Sequence, residues 1–255
     1  MSVWGKVLGA GAGFALGGPL GALVGAAAGH YIAKFRANAL SAEGAENASF
    51  PGGSSREARQ VIFATALVVL AAKLAKADGV VSREEIAKFK TIFNIPESEI
   101  SSVGAIFDKA KTTADGFEPY AEQVAKLFRS TPAVLENLVG ALFEIAKSDG
   151  WVHDAELRYL RKVSRIFSLD STTFDRISAQ FSPEDSEPDP YSLLGIAPDV
   201  PDRQLKARYR ELAVQHHPDK LIANGMPDEF VEKANEKLAL INAAYDKICA
   251  QRNIK

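Results

Sequence analysis

Two amphipathic helical patterns on either side of a His-Pro-Asp tripeptide constrain the fold of this chain more than any other feature. Before the tripeptide, Leu205, Leu212 and His216 recur at helical spacing, which predicts a helix with one apolar face. Pro218 has no backbone N–H and disfavours helical angles in the residue before it, so this helix should end at the tripeptide.

A second helical pattern begins after a short loop. Its apolar residues recur at steps of three and four, and they are Phe230, Ala234, Leu238, Ile241, Tyr245 and Ile248. Two helices joined by a short loop pair most simply in antiparallel fashion, which places the tripeptide at the tip. Arg203, Lys206 and Arg210 share another face of the first helix and form a positive stripe next to that tip.

Short motifs accompany the two predicted helices. They are Asp189-Pro190-Tyr191-Ser192-Leu193-Leu194-Gly195-Ile196, Tyr209-Arg210, Leu212-Ala213, His217-Pro218-Asp219-Lys220, Ile241-Asn242 and Ala244-Tyr245. With these motifs in phase, the region resembles a J-domain, the module with which DnaJ-type co-chaperones dock on a DnaK-type chaperone and stimulate its ATP hydrolysis. Together with the stripe, the resemblance assigns the following residues to chaperone binding: His217, Pro218, Asp219, Lys206, Tyr209, Arg210, Arg203 and Lys220.

Some positions depart from the J-domain pattern. Glu211 and Gln215 stand where many J-domains have basic residues, so the positive patch is thinner. The loop over residues 221–227 is longer and more apolar than usual, and it resembles the loop of the DjlA subgroup. Taken alone, the tripeptide could be a capped turn and the stripe a solvated face. Acid–base catalysis by a His/Asp pair is disfavoured, because no Ser or Cys nucleophile with a recognisable motif accompanies it.

Composition excludes several classes of protein. A formal net charge of −2 argues against bulk nucleic-acid binding, which requires a basic surface. The single cysteine, Cys249, excludes an internal disulfide and fits a reducing compartment. No Cys/His cluster has zinc-ligand spacing and no glycine-rich phosphate loop is present, so we expect no cofactor.

The amino-terminal segment predicts a membrane anchor. Residues 7–33 carry no formal charge except at His30, and about 20 apolar residues suffice to span a bilayer. Glycines recur every fourth residue at Gly9, Gly13, Gly17, Gly21, Gly25 and Gly29. On a helix they form a bare groove, and such faces let transmembrane helices pack closely, so we expect a homodimer held by this segment.

Other interpretations of this segment remain open. It could be a flexible Gly/Ala linker, although the regular spacing and the intervening large apolar residues argue against that. A cleaved signal peptide is disfavoured because the apolar stretch is much longer than the usual 7–15 residues. Gly17-Gly18-Pro19 could kink the helix or turn it into a hairpin. Lys34 and Arg36 slightly outweigh Lys6, which weakly places the carboxyl-terminal bulk in the cytoplasm.

The middle of the chain contains an internal repeat. Residues 74–86 and 145–157 are similar, and each copy lies between two apolar helical runs. Each unit therefore predicts a helix–turn–helix, and the whole chain predicts an all-α fold. Asp78-Gly79 and Asp149-Gly150 supply the turns. An EF-hand is excluded, because the first and third loop positions lack carboxylates in both copies.

The repeated unit resembles a TerB-like domain, a helical module found in stress-associated proteins. Its acidic residues are weak candidates for a cation site, with capping and turn formation as the simpler explanation. They are Asp78, Glu85, Asp149, Asp154 and Glu156.

The J-domain comes last in this chain, whereas most J-proteins carry it first. This order of segments resembles the DjlA family. We divide the chain into an anchor (1–36), a flexible linker (37–55), a TerB-like domain (56–181), an acidic hinge (182–188) and a J-domain (189–255). The resemblance implies a single-pass protein of the bacterial inner membrane with its carboxyl-terminal domains in the cytoplasm. It would recruit a DnaK-type chaperone and stimulate its ATP hydrolysis, without being an enzyme itself.

Two alternatives belong to other functional classes. The chain could be a membrane-bound stress or metal sensor in which the TerB-like domain is primary and the J-domain accessory. It could also be a purely structural membrane oligomer, in which the tripeptide would be dispensable.

Overall fold

A computed structural model describes residues 2–7, 18–36, 56–76, 89–91, 93–112, 116–181 and 188–254. These residues form α-helices and short 3₁₀ turns without any strand, which confirms the predicted all-α fold. In chain order the helices are α1 (Val3–Val7), α2 (Gly18–Arg36), α3 (Arg56–Leu74), α4 (Glu97–Thr112), α5 (Glu118–Leu127), α6 (Pro132–Ala146), α7 (Asp154–Ile166), α8 (Ser171–Ala179), α9 (Pro190–Leu194), α10 (Asp202–Gln215), α11 (Pro218–Ala223) and α12 (Val231–Arg252). The 3₁₀ turns are Lys147–Asp149 and Asp228–Phe230.

Helix α3 is the centre of the middle domain. Every residue from Gln60 to Leu74 is buried, as expected for a helix that is apolar all round. Helices α1, α4, α5 and α6 pack around it. We call residues 56–181 the helical domain.

The second copy of the repeat folds as a helix–turn–helix. Helix α6 leads through the 3₁₀ turn to Gly150, whose φ of +109° belongs to the left-handed region that glycine tolerates. Helix α7 then begins, and the Glu156 carboxylate accepts a hydrogen bond from the His153 backbone N–H at 2.9 Å. The first copy lies mostly outside the described residues, and so does the turn at Asp78-Gly79.

The described parts of the amino-terminal segment pack against the helical domain. Trp4 is fully buried, and its indole N–H donates to the Phe93 carbonyl at 3.0 Å. Helix α2 lies on α4 and α5, with Leu20, Leu23 and Val24 buried. These apolar side chains, which we expected to contact lipid, are therefore buried against the protein in this structure. Within the described residues, no helix has the length and apolar character needed to cross a membrane.

The predicted glycine groove is partly described. Helix α2 begins at Gly18, whose φ of +58° lies in the left-handed region that glycine tolerates. The kink predicted at Gly17-Gly18-Pro19 lies partly outside the described residues. On α2, Gly25 is exposed, and a Cβ added there would meet no atom within 4 Å. Gly9, Gly13 and Gly17 lie outside the described residues.

The J-domain is built on the predicted helical hairpin. Its separate core comprises Leu193, Leu194, Leu205, Leu212, Ile241, Ala244 and Ile248. Helices α10 and α12 run antiparallel, because Asp202 at the start of α10 binds Arg252 at the end of α12, at 2.9 Å. Midway along the pair, the rings of Tyr209 and Tyr245 stack with centroids 4.0 Å apart.

The loop that follows the tripeptide attaches the J-domain to the helical domain. Leu221, Met226 and Phe230 are buried in the core of the helical domain. The Gln60 side-chain amide donates to the Met226 carbonyl at 3.2 Å, and Phe230 meets Phe63 edge-on with ring centroids 5.1 Å apart. The sequence predicted a loop here but not this attachment. Most of the predicted hinge over residues 182–188 lies outside the described residues.

Candidate functional site

The His-Pro-Asp tripeptide forms the first turn of α11. His217 is the N-cap, and its Nδ1 accepts a hydrogen bond from the Asp219 backbone N–H at 3.3 Å. Pro218 follows at the first helical position, where its fixed φ is already helical. The side chains of His217 and Asp219 are 54% and 90% exposed, whereas Pro218 is buried. The turn thus fixes its backbone while it presents an imidazole and a carboxylate to solvent.

The structure places the predicted positive stripe on one face of α10. Arg203 and Arg210 are exposed and Lys206 is half-buried, and the helix is continuous from Asp202 to Gln215. Residues three, four and seven apart on such a helix are neighbours on its surface. Lys220 is exposed in the first turns of α11, just beyond the tripeptide. The stripe therefore runs along the helix that leads to the tripeptide.

Tyr209 has a different role from the charged residues of the stripe. It is half-buried, stacks on Tyr245, and its hydroxyl donates to the Asn242 side chain at 3.2 Å. It joins α10 to α12 and presents the rest of its ring near the stripe. The geometry thus places Tyr209, which the sequence assigned to chaperone binding, mainly in the packing of the hairpin.

The departures from the J-domain pattern leave the stripe largely intact. Glu211 is bound by Arg208 at 2.9 Å and by the Gln215 amide at 3.1 Å. Its carboxylate is therefore held by its own neighbours. Val214 is 60% exposed, one turn beyond Arg210, and sequence reasoning missed it. The signal was present in the sequence, because Val214 is an apolar residue four positions after Arg210 and therefore lies on the same face of the helix.

A buried charged cluster lies directly behind the tripeptide. His216 is fully buried, and its Nε2 lies 3.1 Å from Oε2 of Glu136 on α6. The same carboxylate forms an ion pair with Arg176 of α8, and Lys237 Nζ of α12 lies 3.9 Å from it. We call these four residues the Glu136 cluster. The helical domain and the J-domain contribute two residues each.

Burial and charge shift the pKa values within the Glu136 cluster. Burial raises the pKa of Glu136, but His216, Lys237 and Arg176 outweigh burial and hold this pKa well below its usual range. Burial and the charge of Lys237, opposed by Glu136, lower the pKa of His216 to about 4, so the imidazole is neutral at pH 7. Burial, opposed by Glu136, lowers the pKa of Lys237 to about 7.

The acidic residues of the repeat are only partly described. Glu156 is buried and caps α7 through the His153 N–H, while Asp154 is exposed. Asp78, Glu85 and the side chain of Asp149 lie outside the described part of the chain. Within that part, no group of three or more His, Cys, Asp or Glu side chains is placed to hold a metal ion.

Comparison with known proteins matches all three segments. Residues 1–46 match the co-chaperone DjlA transmembrane domain, residues 64–179 match the tellurite resistance protein TerB, and residues 189–254 match the DnaJ domain. The co-chaperone protein DjlA of Photobacterium profundum is 30% identical, over 99% of this chain and 100% of that protein. The chain belongs to the DjlA family of co-chaperones.

Other DjlA relatives are similar along their whole length. The co-chaperone protein DjlA of Coxiella burnetii is 26% identical over 98% of each chain, and that of Vibrio cholerae is 29% identical over the full length of both. No solved structure was found to match. Membership of the DjlA family confirms the predicted resemblance and makes this protein a J-domain co-chaperone. It also supports a chaperone partner and attachment to a membrane.

Proposed function

We propose that this DjlA-family protein recruits a DnaK-type chaperone to the bacterial inner membrane and stimulates its ATP hydrolysis there. The observation that carries the proposal is the exposure of His217 and Asp219 on a conformationally fixed turn, beside a positive stripe. The protein supplies a binding surface rather than reacting groups, so it acts through the ATPase of its partner and is not an enzyme itself.

The turn and the stripe have different roles in this proposal. In the neutral tautomer that accepts at Nδ1, His217 carries its proton on Nε2 and can donate a hydrogen bond to the partner. Asp219 can accept one. Arg203, Lys206 and Arg210 steer an acidic surface of the chaperone toward the turn, because complementary charge raises association rates. Lys220 extends the proposed contact surface, half-buried Tyr209 contributes the part of its ring that stays exposed, and buried Pro218 fixes the backbone of the turn.

The proposal keeps the domain division made from the sequence. Residues 1–36 anchor the chain as a single span, 37–55 link it to the helical domain at 56–181, and 182–188 lead as a hinge to the J-domain at 189–255. Helix α2 exposes Gly25 but buries Gly21 one turn earlier, so Gly25 is the described groove position that supports pairing of two copies through this segment. The carboxyl-terminal domains face the cytoplasm, where ATP and the chaperone partner are available.

The decisive experiment measures ATP hydrolysis by a DnaK-type chaperone with the full chain in lipid vesicles. His217→Gln should abolish stimulation, because the exposed imidazole is the proposed signal. His153→Gln is the matched control, since His153 is also exposed but lies on the helical domain. Full stimulation by the His217 variant, with unchanged helicity by circular dichroism, would refute the proposal.

Orientation can be tested through the single cysteine. Cys249 lies on α12 of the J-domain and is partly exposed. A membrane-impermeant thiol reagent should label it in inverted membrane vesicles and leave it unlabelled in intact spheroplasts. The opposite labelling pattern would place the J-domain outside the cytoplasm.

A further inference from the structure

The Glu136 cluster joins two domains at the residue that precedes the tripeptide. Glu136 and Arg176 belong to the helical domain, whereas His216 and Lys237 belong to the J-domain. All four side chains are buried. This attachment between the domains is sensitive to the loss of any one charge, because a buried ion without its partner is strongly destabilising.

Glu136 allows the two cations of the cluster to lie close together. Arg176 approaches its carboxylate from the helical domain and Lys237 approaches it from the J-domain. Without the carboxylate, Arg176 would be a buried cation without this partner, and His216 and Lys237 would lose the group that they approach from the J-domain. The attachment of the J-domain at this point therefore depends on Glu136.

The J-domain is attached to the helical domain on both sides of the tripeptide, and we call these two attachments together the joint. His216 comes immediately before it and contacts Glu136, and Leu221 follows two residues after it and is buried in the core of the helical domain. Met226 and Phe230 extend the second attachment. The exposed turn over residues 217–219 is thus held between two attachments to the helical domain.

We propose that Glu136 and Arg176 are positioning residues for chaperone binding: the helical domain holds the turn at residues 217–219 in the conformation that the chaperone binds. This inference rests on the proposed function. If the joint opens, the turn samples other conformations, and the apparent affinity falls by the fraction of molecules that are competent to bind. The chaperone can still reorder the turn at saturation, so maximal stimulation is retained.

The first test replaces the central carboxylate with an amide of the same shape. In the full chain, Glu136→Gln should accelerate amide hydrogen exchange over residues 216–230, because local opening exposes these amides. Exchange over residues 241–250 should stay slow, because that part of α12 packs in the separate J-domain core. The concentration of the chain that gives half-maximal ATPase stimulation should rise at least about fivefold, with the maximum unchanged.

A matched control is available on the same helix. Glu144 lies two turns after Glu136 and binds Lys233 of α12 at 2.8 Å, but both side chains of this pair are partly exposed. Glu144→Gln removes an ion pair between the same two helices without leaving a buried charge. It should leave exchange over residues 216–230 and the half-maximal concentration within about twofold of wild type.

A second variant leaves the helical domain untouched. Lys237→Glu places a second carboxylate next to Glu136 from the J-domain side, and Lys237 is too buried to contact the chaperone itself. It should reproduce the faster exchange and the raised half-maximal concentration. It also keeps the test valid if Glu136→Gln unfolds the helical domain, which would appear as rapid exchange throughout α3.

The outcomes separate the two proposals. Unchanged exchange over residues 216–230 in both variants would show that the cluster does not hold the joint. Faster exchange with an unchanged half-maximal concentration would show that the joint does not position the turn. Absence of stimulation by the wild-type chain would instead refute the proposed function, while the exchange measurements would still report on the joint.

Discussion

Two neighbouring histidines divide the J-domain into two faces. His217 is largely exposed on the turn that we propose the chaperone reads, whereas His216 is fully buried against the helical domain. On the exposed face, charges act through water and are screened by salt. On the attached face, desolvation dominates, and it shifts the pKa values of His216 and Lys237 by large amounts. The comparison teaches that adjacent residues can serve partner recognition and domain attachment separately.

Removal of the Phe230 ring should have the largest effect on the attached face. Phe230→Ala should lower the free energy of unfolding by about 3–5 kcal/mol, because it removes buried apolar surface and leaves a cavity beside Phe63 and Phe93. Urea unfolding would measure the loss. Leu240→Ala, at a 43% exposed position on α12, should cost less than about 0.5 kcal/mol. Equal costs at the two positions would show that the attachment contributes little to stability.

Acid should weaken the attached face. The pKa of His216 falls from 6.5 to about 4 on burial, so the detached state binds more protons between these values and attachment weakens as the pH falls through them. The low pKa of Glu136 acts in the same direction below about pH 4.5, and the lowered pKa of Lys237 acts in the same direction between pH 10.5 and about pH 7.

The expected loss of unfolding free energy from His216 alone is about 3 kcal/mol between pH 7 and pH 4, because one pKa unit corresponds to about 1.4 kcal/mol. Urea unfolding at a series of pH values would measure it. His216→Leu should flatten the part of the curve between pH 6.5 and pH 4. If this variant keeps the wild-type pH dependence, another group titrates there.

Charge reversal should affect the exposed face alone. Lys206→Glu combined with Arg210→Glu should weaken chaperone binding about tenfold at low salt, with a smaller difference at high salt, because the stripe acts through screened attraction. Binding measured at several salt concentrations would test this. The control reverses Arg158 and Lys162, which are exposed at the same spacing on α7. Salt-independent binding by the wild-type chain would indicate a solvated stripe without a steering role.

A substitution on the exposed face of α2 should have the smallest effect on folding. Gly25→Leu should raise the free energy of unfolding by no more than about 1 kcal/mol, because leucine favours a helix more than glycine does and open space surrounds the position. It should nevertheless reduce crosslinking between copies in membranes, since the added side chain fills the glycine groove. Ala26→Leu adds the same apolar surface at an exposed position beside that groove. Equal crosslinking in both variants would exclude the groove as the contact.

Local patterns allowed the fold and the exposed site to be predicted from the sequence. The spacing of Leu205 and Leu212 predicts α10, and Pro218 predicts its end, because these signals depend on near neighbours in the chain. The Glu136 cluster could not be predicted in this way. Its members are separated by up to about 100 residues, and a lone Glu in an apolar helix carries no local sign of its partners.

The second helix of the hairpin was predicted by the same periodicity, but the role of the loop before it was missed. The length and apolar character of the loop were visible in the sequence. Its attachment was not, because Met226 accepts a hydrogen bond from Gln60, which lies more than 160 residues earlier in the chain. Helix α11 was missed because it is short and begins inside the tripeptide. In both cases the deciding contacts lie far away in the chain.

The contact between the two ends of the protein also sets an order of events during synthesis. The Val3 backbone N–H donates to Glu229 at 2.7 Å, across 226 residues of chain, and Trp4 lies beside Phe230. A ribosome adds roughly 5–20 residues per second, so the first helix waits on the order of 10–45 s for these partners. During that interval the apolar amino-terminal segment has already emerged. The last part of its docking place, formed by Glu229 and Phe230, is therefore added only after the segment has emerged.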